Sequence, residues 1–258
     1  MAPSIQQRLQ RSEPLVCTTA YDQRIAQLID RTGDFDLILV GDSVANTKLG
    51  YADTRELTLA ELLHHVRAVR RGVSETLIAA DLPWGSYEQS LSQGLASAYE
   101  LVRAGAELVK LEGGAPYIVE LAAALTERGI PVIGHLGYLP QQAAALGLGR
   151  RQGVEPKQAA TLTKQAQALA AAGCVALVLE LIPPALAAEL TSTLPVPTIG
   201  IGAGAACRGQ ILVSDDLLGL SERQFSFVRR YAELGSVVNQ ALTEFAREVR
   251  AGEFPSQD

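Results

Sequence analysis

LVKLEGG, residues 108–114, is an apolar run of the kind that forms a buried β-strand, yet it carries Lys110 at its centre and Glu112 just before two glycines. An isolated run of this kind is typical of a surface strand whose polar end meets water. This run is one of a series, because short β-branched runs alternate along the chain with longer segments rich in Ala, Leu, Glu and Arg. Such alternation is typical of repeated βα units around a parallel sheet.

The pattern predicts eight strands separated by helices. The strands are expected at residues 15–20, 36–41, 76–82, 108–113, 131–137, 175–181, 197–204 and 209–216. Helix-like stretches with capping residues are expected between them, including residues 58–72, 90–105, 117–129 and 156–173. Eight strands in a chain of this length favour an α/β fold, a closed (β/α)₈ TIM barrel, and the alternative is an open doubly wound sheet. We predict one catalytic domain over residues 1–258, with a C-terminal helix and a short polar tail.

Composition narrows the classes of function. The 258 residues are 48% hydrophobic, which is enough for a sizeable core, and the net charge of −6 provides no basic field for a nucleic acid. The three cysteines are far apart and form no C-x-x-C pair, so neither a zinc site nor a redox dithiol is expected. The N-terminus has no secretory apolar segment, and the most apolar tract, residues 168–190, is interrupted by Gly173, Glu180 and two prolines. We therefore expect a cytoplasmic protein without a membrane span.

Ionisable side chains occur where several predicted strands end. In a (β/α)₈ barrel the active site lies at that face. The candidates are Asp42 and Ser43 after the second strand, Asp81 in the third, Lys110 and Glu112 in the fourth, His135 in the fifth and Glu180 in the sixth. One carboxylate at a strand end is commonly a helix N-cap. Several carboxylates around one rim would raise each other's pKa unless a cation shared the space.

A divalent metal ion is the simplest such cation. Asp and Glu oxygens without His or Cys ligands suit a hard ion, so Mg²⁺ is favoured. Mg²⁺ keeps positions that a 2-oxo acid can occupy with its carboxylate and ketone oxygens, and it would stabilise the enolate of that acid. Lys110 would then hold the negative charge of the substrate.

Other interpretations of the same residues stay open at this point. Lys110 in an apolar strand is also the pattern of a Schiff-base lysine, although the surrounding acids would keep it protonated. A non-catalytic barrel that binds a metabolite is a further alternative. The GIGAG run at residues 200–204 lacks the spacing of a dinucleotide fingerprint and predicts a tight turn. His64 and His65 are adjacent in a helix, which favours packing or surface roles over metal binding.

Ordered motifs give a specific resemblance over nearly the whole chain. They are TAYD (19–22), LVGDS (39–43), DLPWGSYEQS (81–90), GAELVKLEGG (105–114), PVIGHLGYLPQ (131–141), LELIP (179–183), and PTIGIGAG with GQILVSDDLLG (197–219). Together they resemble the ketopantoate hydroxymethyltransferase family. The resemblance implies a barrel of the phosphoenolpyruvate mutase and isocitrate lyase group, assembled as a homo-oligomer that in the family is commonly a decamer. The chain departs from usual family residues at Trp84, Leu181 and Arg208.

The resemblance also implies a reaction and a set of roles. A one-carbon unit would pass from 5,10-methylenetetrahydrofolate to 3-methyl-2-oxobutanoate, giving 2-dehydropantoate for pantothenate and coenzyme A synthesis through a Mg²⁺-stabilised enolate. The implied Mg²⁺ ligands, one ion per subunit, are Asp42, Asp81 and Glu112. Substrate contacts come from Asp42, Ser43, Asp81 and Lys110, the acid/base residue is Glu180, and His135 is an additional site residue. The alternative is a Mg²⁺-dependent 2-oxo acid lyase of the same barrel group.

Overall fold

The protein forms a closed parallel barrel of eight strands. The structure is a computed structural model and describes residues 4–147, 151–222 and 224–255. Each strand pairs with the next, and β1 pairs with β8 to close the sheet. The strands are Leu15–Thr19 (β1), Leu37–Val40 (β2), Leu77–Asp81 (β3), Leu108–Glu112 (β4), Val132–Gly137 (β5), Ala176–Glu180 (β6), Thr198–Ile201 (β7) and Gly209–Leu212 (β8). The predicted (β/α)₈ barrel is confirmed, and the open sheet is excluded.

Helices alternate with the strands along the chain, one precedes β1 and two follow β8. They are Ile5–Leu9 (α1), Gln23–Thr32 (α2), Val44–Thr47 (α3), Leu59–Arg70 (α4), Leu91–Ala104 (α5), Pro116–Glu127 (α6), Pro140–Leu146 (α7), Pro156–Ala171 (α8), Pro184–Thr193 (α9), Ser214–Leu217 (α10) and Leu234–Ala251 (α11). The four helices predicted between strands correspond to α4, α5, α6 and α8. Their ends follow the capping residues: α5 begins where the Ser90 side chain accepts from Gln93 N and ends at Gly105, whose φ is 117°.

The two faces of each strand belong to different parts of the core. Successive strand residues point to opposite faces, so every second residue faces the barrel interior. In β3, Leu77 and Ala79 belong to the interior apolar cluster, whereas Ile78 and Ala80 pack in the cluster on the helix side. Leu108 of β4 is also in the interior cluster. By the same alternation, the next interior positions of β3 and β4, toward the C-terminal ends of these strands, are occupied by ionisable residues.

Structural hydrogen bonds fix the opposite end of the barrel. The carboxylate of Asp30, near the end of α2, accepts from the backbone N–H groups of Ser74, Glu75 and Thr76 at 2.8–3.1 Å. The hydroxyls of Ser74 and Thr76 donate to the same carboxylate. Asp30 therefore anchors the segment that leads into β3.

The chain divides into two compact units, residues 1–212 and 213–258. The first contains the whole barrel, and the second contains α10 and α11. The prediction of a single domain over residues 1–258 stays a prediction, and residues 256–258 of the predicted polar tail lie outside the described residues. None of the helices described here is long and apolar enough to cross a membrane.

Candidate active site

The strand register brings Lys110 and Glu112 of β4 against ionisable residues of the neighbouring strands. Asp81 of β3 pairs with Lys110, and His135 of β5 pairs with Glu112. Lys110 Nζ lies 2.7 Å from Asp81 Oδ1 and 3.8 Å from Glu112 Oε1. All four side chains are buried at the C-terminal end of the barrel interior. The cation and the anion of LVKLEGG thus face inward, not toward solvent.

Asp42 and Ser43 join this cluster from the turn after β2. The backbone N–H of Asp42 donates to Asp81 Oδ2 at 2.8 Å, and the Asp42 side chain is buried. Gly41 leaves room for the turn, because a Cβ there would stand 3.0 Å from Ser43 Oγ and 3.5 Å from Asp81 Oδ2. The Ser43 hydroxyl lies 2.7 Å from the hydroxyl of Tyr21, which is the Tyr of the TAYD motif.

His135 connects two of the predicted acids. Its Nδ1 lies 3.2 Å from Glu112 Oε1, and its Nε2 lies 3.3 Å from Glu180 Oε2. Glu180 ends β6 and keeps 16% of its side chain exposed, so it is the acid of this group with the clearest access to solvent. Nδ1 is also 3.3 Å from Lys110 Nζ, a contact in which it accepts only as a neutral ring. Glu112, His135 and Glu180 therefore form a chain of contacts from a fully buried acid to a partly exposed one.

Burial and the neighbouring charges shift the pKa values of these groups. Burial, followed by the charges of Glu112 and Asp81, raises the pKa of Asp42 well above its usual range. Burial lowers the pKa of Lys110, but the carboxylates of Asp81, Glu112 and Asp42 outweigh it and raise that pKa above its ordinary value. The lysine is therefore held as a cation at neutral pH.

The pKa of His135 is raised to about 9. Burial and the nearby Lys110 disfavour the charged ring, but the close carboxylates of Glu112 and Glu180 outweigh them. At neutral pH both His135 nitrogens are donors, so Nδ1 forms an ion pair with Glu112 and cannot accept from the ammonium group.

The cluster fits a hard divalent cation by its donor chemistry. Asp42, Asp81 and Glu112 supply buried carboxylate oxygens, and Asp81 Oδ1 and Glu112 Oε1 have no hydrogen bond of good geometry. In the described part of the chain, no group of three or more His, Cys, Asp or Glu side chains is already arranged so that it could hold a metal ion. The assignment of these three acids as ligands therefore stays a prediction.

Gln141 is a site residue that the sequence analysis did not single out. It is buried at the start of α7, and its Nε2 donates to Asp42 Oδ2 and to the Leu82 carbonyl, both at 3.1 Å. Its backbone N–H donates to Glu112 Oε2 at 3.1 Å, and its Oε1 accepts from the Tyr87 hydroxyl at 2.9 Å. The only sequence signal was its place at the end of PVIGHLGYLPQ, immediately after the Pro that begins α7.

The structure brings all of the predicted site residues to one end of the barrel. Direct contacts link Asp42, Asp81, Lys110, Glu112, His135 and Glu180, and Ser43 adjoins Asp42. His64 and His65 lie apart from this cluster, on α4. His64 is exposed and the Nδ1 of His65 contacts the Tyr21 carbonyl, as expected for surface and packing roles.

Known proteins resemble the chain over almost its whole length. The family profile described as "Ketopantoate hydroxymethyltransferase" matches residues 1–257. The 3-methyl-2-oxobutanoate hydroxymethyltransferase of Rippkaea orientalis is 50% identical over 98% of both chains. The protein of that name from Gloeobacter violaceus is 49% identical over 96% of this chain and 95% of its own. Phosphonopyruvate hydrolase, solved with oxalate and Mg²⁺, has the same fold, with a TM-score of 0.64, 17% identity, and coverage of 96% of this chain and 86% of its own.

Proposed function

The chain belongs to the ketopantoate hydroxymethyltransferase family, and we propose that it transfers a one-carbon unit from 5,10-methylenetetrahydrofolate to 3-methyl-2-oxobutanoate. The products are 2-dehydropantoate and tetrahydrofolate, and one water is consumed because the methylene carbon becomes a hydroxymethyl group. Curated relatives at about half identity carry the name of this activity over the whole length of the chain. The observation that carries the proposal is the buried cluster of carboxylates around Lys110 at the C-terminal end of the barrel.

The cationic part of the cluster suits the substrate. A 2-oxo acid is an anion, and Lys110 is a buried ammonium group that its neighbours hold protonated. We assign to Lys110 the role of holding the negative charge of the keto acid, with Ser43 as a hydroxyl contact beside it. The same protonated state argues against the Schiff-base alternative, since only a neutral amine attacks a carbonyl.

We assign the divalent metal to Asp42, Asp81 and Glu112, with Mg²⁺ as the ion. Three carboxylates within one buried cluster, two of which have an oxygen without a directed hydrogen bond, support this assignment. When bound, the ion supplies Lewis-acid polarisation of the keto group, which acidifies the neighbouring C3. The Gln141 amide and backbone N–H hold Asp42 and Glu112 in place by hydrogen bonds.

Glu180 is the residue we assign to proton transfer at the folate nitrogen. It is the partly exposed acid of the cluster and stands on the side from which a second substrate can enter. His135 lies between Glu180 and Glu112, with one ring nitrogen within ion-pair distance of each carboxylate. The roles of the chain are therefore anchoring at Lys110 and proton transfer at Glu180.

A homo-oligomer is part of the proposal, and α11 supports it. Val238, Leu242, Phe245 and Val249 recur at intervals of three and four along this helix and are 46–61% exposed. Such a stripe is the pattern of a helix that packs against a partner. The decamer common in the family is the assembly we propose.

The test of the proposed function is a complete reaction mixture. Purified protein with Mg²⁺, 5,10-methylenetetrahydrofolate and 3-methyl-2-oxobutanoate is expected to form 2-dehydropantoate, followed by proton NMR. Cleavage of a 2-methylmalate-like acid without folate, in place of this product, would instead identify a lyase.

A further inference from the structure

A cavity of about 640 Å³ adjoins the acidic cluster on its outer side. It lies between α8 and the loops that follow β4 and β5, and its volume is in the range of small-molecule sites. Two glycines line it at the ends of the site strands: Gly113 follows β4 directly after Glu112, and Gly137 is the last residue of β5, the strand that carries His135. A ligand in the cavity would therefore lie beside the keto acid site and not within it.

Glycine backbone forms the wall of the cavity nearest the barrel. Gly113 and Gly137 have φ values of 95° and 105°, a conformation that side-chain-bearing residues rarely adopt. A Cβ at Gly137 would stand 2.1 Å from the Glu180 carbonyl oxygen, so the wall is closely joined to the strand that carries Glu180. Bare backbone on this side allows a flat ring system to approach the strand ends closely.

The other walls combine apolar side chains with amides. Leu136, Leu139 and Leu162 supply the apolar surface, and Gln142, Gln158 and Gln165 supply amide groups. An amide side chain both donates and accepts hydrogen bonds. The side chains of Gln158 and Gln165 have no hydrogen-bond partner among the described residues, so they are available to a ligand.

We propose that this cavity binds the pteridine ring of the reduced folate, with the folate tail leaving along α8. The inference rests on the proposed function. A pteridine is flat and carries an amino group, a ring N–H and a keto oxygen along one edge, which are the groups that side-chain amides recognise. The flat faces of the ring need an apolar wall, which Leu136, Leu139 and Leu162 provide. The one-carbon unit on the ring then points toward Gly113 and Gly137, where the keto acid site begins.

The charge of the lining also favours a folate over a phosphorylated ligand. Lys157 and Glu155 are the ionisable residues of the described lining, and their charges balance. A di- or triphosphate would meet no cluster of cations among the described lining residues. Lys157 is exposed on the first turn of α8, where it can pair with a carboxylate of the glutamate tail.

Two variants on α8 test the cavity. Thr161→Phe places a ring inside it, and Gln165→Met replaces an amide by an apolar side chain of similar length. Gln167→Met is the matched control, because Gln167 is exposed on the same helix and does not line the cavity. Calorimetry with tetrahydrofolate measures binding. Exchange of the C3 proton of 3-methyl-2-oxobutanoate in deuterium oxide with Mg²⁺, followed by NMR, reports separately on the keto acid site.

For Thr161→Phe we expect tetrahydrofolate binding to be at least about tenfold weaker, and for Gln165→Met about tenfold weaker, the effect of roughly one lost hydrogen bond. Proton exchange should continue in both, which shows that the variants are folded. If both variants bind tetrahydrofolate as tightly as Gln167→Met, the cavity is not the folate site, while the proposed function still stands. A wild-type protein that exchanges the proton but binds no tetrahydrofolate would overturn the folate-dependent function and the cavity assignment together.

Discussion

Lys110 Nζ and Asp81 Oδ1 lie 2.7 Å apart on adjacent strands, and at most 5% of either side chain is exposed. Taking two charges out of water is costly, and the ion pair offsets that cost only when its geometry is close. A barrel that needed stability alone would place apolar residues at these interior positions, as it does one layer below with Ala79 and Leu108. The pair is therefore better explained by the negative substrate that Lys110 is proposed to hold.

Removing one acid of the cluster should remove the metal. Asp81→Ala takes away a buried carboxylate whose charge a water molecule cannot replace, so Mn²⁺ binding, followed by electron paramagnetic resonance, should fall below detection. Asp34→Ala, at an exposed aspartate after α2, is the matched control and should bind Mn²⁺ as the wild type does. An Asp81→Ala protein with wild-type Mn²⁺ affinity would show that the ligand assignment is wrong.

Glu180→Gln should separate binding from turnover. The amide keeps the size of the side chain but can no longer exchange a proton, so kcat should fall by roughly 10²–10⁴-fold. Mn²⁺ affinity and the KM for the keto acid should change little, because neither ligand is assigned to Glu180. Steady-state kinetics and metal titration measure the two effects. Equal losses in metal affinity and in kcat would place Glu180 among the metal ligands instead.

Gln141 should act on the metal through the acids that it holds. Gln141→Met removes the hydrogen bonds to Asp42 and Tyr87 but keeps the volume of the side chain. Residues that orient metal ligands typically contribute roughly 10–100-fold in metal affinity, and a loss of that size is expected in a Mn²⁺ titration. Tyr87→Phe removes one of these hydrogen bonds and should give a smaller loss. Unchanged affinity in Gln141→Met would limit Gln141 to a packing role.

Asp30 should control stability in acid without affecting the active site. Although burial acts to raise its pKa, the hydrogen bonds from Thr76 and Ser74 outweigh it and hold that pKa below its ordinary value. The stabilisation is therefore fully present above about pH 4, the pKa in the unfolded chain, and is lost as the pH falls toward the folded-state pKa.

The Asp30→Asn variant tests this pH dependence. It should lose on the order of 1–2 kcal/mol in free energy of unfolding at pH 7, because the amide cannot accept all of these hydrogen bonds. The difference from the wild type should shrink below pH 4. Urea unfolding at pH 7 and pH 3.5 measures it, with Asp34→Asn as the control. A difference that stays constant between the two pH values would contradict the account.

The apolar stripe of α11 should hold subunits together. Leu242→Glu places a charge at its most exposed leucine, which is 61% exposed. We expect the assembly to dissociate, with the mass measured by light scattering falling toward the 27.4 kDa of a single chain. Arg247→Glu, in the charged part of the same helix, should leave the mass unchanged. A Leu242→Glu protein of wild-type mass would exclude this face as the interface.

The sequence predicted the barrel because βα units repeat and their caps are local signals. The ends of each of the eight strands were predicted to within a few residues, because turn residues flank each apolar run. The site residues could be predicted for a related reason. The carboxyl ends of parallel strands meet at one face, so Asp81, Lys110, His135 and Glu180 had to lie near each other once the barrel was recognised.

The features that could not be predicted from the sequence depend on strand register and on long-range packing. The contact between Asp81 and Lys110 requires the particular stagger of β3 against β4, which no local pattern encodes. Gln141 was missed because α7 is only seven residues long and its role depends on its position over the cluster. The amides of α8 meet the glycines after β4 only through the fold, so the cavity was not foreseen.

The most direct test of the central claim is exchange of the C3 proton of 3-methyl-2-oxobutanoate in deuterium oxide, followed by NMR with the purified protein. The account predicts rapid exchange that requires Mg²⁺, that stops on addition of a chelator, and that is lost in Asp81→Ala and in Lys110→Met. Exchange at the rate of the buffer alone, in a folded protein saturated with Mg²⁺, would contradict it.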